Sequence, residues 1–144
     1  MGTRSMTIVM DENDELVRIY RQNDGYPEGH GLDLARLCDL KIVNGLNADK
    51  KVANGMGCLA AQIIEGLKDG PGGIYIEKCG GEISDGVEYV YIVRGVEGHR
   101  PVIDCSTQTG PFPFNIQKGE HFVFAGTGAA WIEKFAETPT ETQS

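Results

Sequence analysis

The chain has 144 residues, 40% hydrophobic and 24% charged, a length and balance suited to one globular domain with its own core. Its net charge of −8 argues against a nucleic-acid partner, because phosphates require a basic face. No apolar run approaches the length of a membrane span, so no membrane partner is expected. Four cysteines with no Cys-x-x-Cys spacing read as free thiols of a reducing cytoplasm.

In chain order, Thr7–Met10 reads as a strand and residues 11–15 as a polar turn. Leu16–Arg21 alternates apolar and polar side chains, which completes a β-hairpin. A glycine-punctuated loop, Asn23-Asp24-Gly25-Tyr26-Pro27-Glu28-Gly29-His30-Gly31, follows. Leu32–Lys41 is predicted as a helix on the stripe Leu34, Leu37 and Cys38, with Asp33 favoured by the dipole of its first turn. Asn44-Gly45 stops it, and residues 47–51 read as a polar connection.

A second glycine loop, Asn54-Gly55-Met56-Gly57, leads into the clearest helix of the chain. Leu59, Ala60, Ile63, Ile64 and Leu67 form its apolar face, and Asp69-Gly70-Pro71 ends it. Asn54 is the expected cap. Strands are then predicted at 74–77, 87–93 and 101–105, with short connections that read as an antiparallel meander. Residues 107–113 read as a Gly/Pro loop, 121–124 as a strand, and 129–136 as a short helix or a last strand. The expected fold is α+β: a mostly antiparallel sheet with both helices on one face, a single domain over 1–137 and a flexible tail over 138–144.

The two glycine loops carry the functional expectation. A helix start leaves backbone N–H groups unpaired and partly positive, and glycine lets a ligand approach them closely. The candidate ligand-binding residues are Arg4, Tyr20, Arg21, Asp24, Tyr26, Gly29, His30 and Gly31 at the first loop, and Asn54, Gly55 and Gly57 at the second. The ligand they fit is small and anionic, or nucleotide-like. Neither loop matches the dinucleotide or Walker fingerprints, so no standard nucleotide enzyme is implied. A purely structural role stands beside this reading, because Asp-Gly, Asn-Gly and Pro are turn formers in their own right. Cys58 at a helix start, with His30 as its base, is a third and less supported reading, as a small hydrolase. The histidines are too widely spaced for a metal site, and no cofactor or catalytic residue is assigned. Gly110-Pro111-Phe112-Pro113-Phe114 offers apolar bulk for a partner contact.

Several motifs occur together: Thr3-Arg4-Ser5, Tyr20-Arg21-Gln22, Asp24 to Gly31, Ile42-Val43-Asn44-Gly45, Val52 to Gln62, and Pro71 to Ile76. In this order the chain resembles a family of small proteins encoded by bacteriophages and bacteria, for which no activity is established. The resemblance spans residues 3–95. It implies a phage-related, cytoplasmic setting; a host protein is a further partner expectation, and a second copy of the chain is the base-rate one. In that setting the leading expectation is a non-enzymatic binding protein that holds a nucleotide-like molecule, including a host defence signal. The alternative is a protein-interaction or inhibitor module whose glycine loops are structural.

Overall fold

The computed structural model describes residues 2–45, 51–83, 86–107 and 121–136. Strands β1 (Ser5–Asp11) and β2 (Asp14–Arg21) form the expected hairpin. A wide helical turn, Pro27–Gly31, runs directly into α1 (Leu32–Leu37). Two short parallel strands, β3 (Lys41–Val43) and β4 (Val52–Asn54), precede α2 (Gly55–Leu67). Then come β5 (Ile74–Glu77), β6 (Tyr89–Arg94), β7 (Val102–Ser106), β8 (Phe122–Thr127) and α3 (Gly128–Phe135). The fold is α+β. Its main sheet has the order β5-β2-β1-β6-β7-β8 and is antiparallel except where β1 meets β6.

Side-chain alternation divides the sheet into two faces. One face presents Val9, Ile19, Tyr91, Val93, Ile103 and Cys105, and all three helices pack on it through Leu34, Ala35, Leu59, Ile63 and Trp131. The other face carries Met6, Ile8, Met10, Val90 and Ile92, covered by Ile83 and Val87 from the segment between β5 and β6. That segment is fastened by Arg18, whose guanidinium donates to the carbonyls of Gly81 (3.0 Å) and Glu82 (3.4 Å). Arg18 also pairs with Glu15 at 2.7 Å, and this hydrogen bond holds the Glu15 carboxyl below its ordinary pKa.

The meander expected over 74–105 is corrected in one respect: β5 does not pair with β6. Val90–Val93 are all buried, so β6 is apolar on both faces and takes a central position beside β1. Only Ile74 of β5 is buried, and β5 occupies the edge beside β2. The first helix is shorter than predicted, because residues 41–43 pair with β4 and with the β6–β7 turn: Ile42 exchanges backbone hydrogen bonds with Gly98 (2.7 Å) and His99 (2.9 Å). The last element is a helix, capped by the Thr127 hydroxyl, which accepts from the Ala130 N–H. The tail at 138–144 and the apolar run at 110–114 lie outside the described residues, as do most of the connection at 47–51 and of the loop at 107–113. No helix is long and apolar enough to cross a membrane among the described residues.

Candidate functional site

The first glycine loop folds back on itself and on the start of β1. The Gly25 N–H donates to Thr3 O (2.8 Å), Gly29 N–H to Tyr26 O (2.9 Å), His30 N–H to Asp24 O (2.8 Å) and Gly31 N–H to Tyr26 O (3.4 Å). Asp24 is left-handed, with φ of 61°, a conformation Asp tolerates better than most residues. The donors expected to face a ligand are therefore occupied inside the loop.

The glycines are also sterically required. A Cβ on Gly31 would lie 2.8 Å from the Trp131 ring, one on Gly25 2.8 Å from the Ser5 Cβ, and one on Gly29 2.6 Å from the Asp24 carbonyl oxygen. Trp131 is buried and anchors its indole N–H on Ile103 O at 2.9 Å, so it is not free to yield.

His30 is wholly buried between sheet and loop. Its Nε2 lies 2.6 Å from the Thr7 hydroxyl and its Nδ1 3.2 Å from Arg21 Nη1. Because Arg21 can only donate, Nδ1 is the acceptor, and the network assigns the proton to Nε2. Burial, and secondarily the Arg21 charge, push the His30 pKa down to about 3. Arg21 itself donates to Asp33 at 2.8 Å and to the Asn23 carbonyl at 2.7 Å. Tyr91 closes the assembly: its hydroxyl donates to Gly25 O at 2.7 Å, and its ring meets the imidazole edge-on with centroids 4.8 Å apart.

The other candidates are dispersed. Tyr20 points to the opposite face of the sheet, beside the Met6 and Ile8 cluster. Tyr26 is exposed and donates to the Asp24 carboxylate at 3.3 Å. Arg4 is exposed beside Gly86, and its carbonyl accepts from Glu88 and Tyr89. Asn54 does not cap α2: its side-chain oxygen accepts the Gly45 N–H at 2.9 Å instead. Gly55, with φ of 83°, and Gly57 have open space where a side chain would stand.

The two loops lie at opposite ends of α2. Met56, in its first turn, sits against Gly95 beyond the end of β6, whereas Leu67, in its last, shares a cleft with Arg21 and Asn23. Thirteen helical residues separate these ends by roughly 18 Å. Both His30 nitrogens are engaged by Thr7 and Arg21, and the Cys58 thiol donates to Gln62 at 3.6 Å. The Cys58–His30 pair expected of a hydrolase is not assembled.

The cleft has a volume of about 200 Å³ and is lined by Arg21, Asn23, Asp24, Leu67, Asp69, Gly72, Gly73 and Ile74. Of these, only Arg21 and Asp24 were sequence candidates. Residues 69–73 read from sequence as a helix stop and, from Pro71 on, as part of a resemblance motif, and nothing local marks them as a cleft wall. Thr7, Asp33 and Trp131 also escaped notice, since their roles arise only on folding. Among the described residues, no three or more His, Cys, Asp or Glu side chains cluster as a metal site would need. No family model, curated protein or solved structure matches the chain.

Proposed function

We propose that this chain is a protein-interaction module whose first glycine loop is a packing device. The observation that carries this reading is that the Gly25, Gly29, His30 and Gly31 N–H groups and the Arg21 guanidinium already have internal partners. A donor with a good internal partner gains little by exchanging it for a ligand oxygen. The contact residues in this reading are the exposed Tyr26, Tyr75 and Ile76. The net charge of −8 favours a partner with a basic surface. In the phage setting that the sequence resemblance implies, that partner is a host protein.

A small-ligand reading retains one supporting observation, the cleft beside Arg21 and Asp24. Its volume of about 200 Å³ is below the ~300–1,000 Å³ usual for sites that enclose a nucleotide-sized molecule. Two assays on the full chain separate the readings. Affinity capture from the bacterial host with the wild type and with Tyr26→Ser/Tyr75→Ser is expected to give a stoichiometric partner that the double variant loses. Thermal unfolding across a nucleotide panel is expected to give no shift. A saturable shift with no captured partner would reverse the order of the two readings.

A further inference from the structure

β5 ends the main sheet at one edge, and its register with β2 determines which backbone groups face outward. The Gln22 N–H donates to Gly73 O at 2.9 Å, so residues 22 and 73 form a hydrogen-bonded pair. Antiparallel alternation then turns Tyr75 and Glu77 toward β2, and the N–H and C=O of Ile74 and Ile76 away from it. An outward row of this kind is a template for another strand.

Half of that row is closed. The Ile74 N–H donates to Gly72 O at 2.9 Å. The Ile74 carbonyl accepts from the Lys68 ammonium at 2.8 Å, and the same ammonium bonds Gly72 O at 3.1 Å and lies 5.6 Å from the Tyr75 ring centroid. Among the described residues, the outward groups of Ile76 have no partner. Ile76 is 57% exposed on one face of the strand and Tyr75 46% on the other, so the edge is apolar on both sides.

We propose that Lys68 is an edge guard, which keeps β5 from pairing with β5 of a second copy of this chain. A two-fold antiparallel pairing that sets Ile76 opposite Ile76 also sets Tyr75 opposite Glu77 and Ile74 opposite Lys78. No like charges then face one another, which makes this register the natural self-complement. Its hydrogen-bonded pairs are the central Ile76 pair and the two flanking Ile74–Lys78 pairs. Both flanking pairs need the Ile74 carbonyl that Lys68 holds, so the guard removes them together and leaves one pair, too little to join two chains that each carry −8. This inference does not depend on the proposed function.

The test compares wild type, Lys68→Met, Lys68→Gln and Lys68→Met/Ile76→Pro by sedimentation velocity across a concentration series, with amide exchange at Ile74 and Ile76. Lys68→Met and Lys68→Gln are expected to shift toward twice the mass as concentration rises and to slow exchange at Ile76. The Ile76→Pro double variant, which lacks the outward donor, is expected to return to the wild-type profile. The guard is refuted if both single variants sediment and exchange as the wild type does. It is refuted equally if the wild type already self-associates with Ile76 protected.

Discussion

His30 keeps its place because both ring nitrogens are engaged and the neutral form alone fits: a second cation would stand 3.2 Å from the Arg21 guanidinium. The consequence for stability has a definite sign. The unfolded histidine takes up a proton near pH 6.5 and the folded one only near 3, so between those values the unfolded state binds more protons. Stability is complete above pH 6.5 and falls as pH drops, by about 1.4 kcal/mol per unit from this residue. Glu15, with its folded pKa lowered, adds a loss of the same sign as pH falls through the carboxylate range. Urea unfolding from pH 7 to pH 5 is expected to show this decline, with a shallower slope in His30→Gln.

The glycines give a second test at the same scale. Gly31→Ala places a methyl 2.8 Å from the Trp131 ring and is expected to cost about 1–3 kcal/mol. Gly57→Ala meets nothing within 4 Å and replaces a helical glycine, so it is expected to stabilise by about 0.5–1 kcal/mol. Denaturation midpoints of the two variants should move in opposite directions. The sequence reveals that residues 23–31 are unusual, because Asp-Gly, Pro and repeated glycines are local signals. It does not reveal whether those glycines admit a ligand or Trp131, since that depends on a residue a hundred positions away.

Among the elements, the hairpin of β1 and β2 and the body of α2 were legible in local periodicity, and α3 was one of two local options. The position of β5 was not. Reading the connection to β6 as short favours a neighbour pairing, but residues 78–88 separate the two strands, and the two-sided burial of β6 explains why β6 lies inside the sheet and β5 at its edge. The β3–β4 pair was hidden too, because three-residue strands carry almost no periodic signal. The cover between β5 and β6 depends on Arg18, which bonds Glu15, Gly81 and Glu82. Arg18→Ala removes the pair with Glu15, whose carboxylate keeps the Gly80 N–H, together with the bonds to Gly81 and Glu82, and is expected to cost about 1–3 kcal/mol. Hydrogen exchange should then rise first at Gly80–Ile83, with the α2 amides changing only through global unfolding. Uniform acceleration throughout the chain would mean the cover is no separate unit.

At the scale of the whole molecule, α2 separates the two glycine loops, and the candidate residues divide into two unlike regions. One is a closed polar assembly around His30. The other is an open helix start, where a Cβ on Gly55 or Gly57 would meet nothing within 4 Å. Sequence order showed that both precede helices, but it contains no information on which way those helices run against the sheet. If the first loop packs the fold with its donors internally satisfied, nucleotides find no site there. The most direct measurement is the unfolding midpoint of the full chain with saturating mono-, di- and cyclic dinucleotides. Occupancy at a hundred times Kd would add about 2.7 kcal/mol, a shift well within detection. An unchanged midpoint with every nucleotide is expected. A saturable rise that Arg21→Ala abolishes, with the circular dichroism spectrum retained, would contradict it.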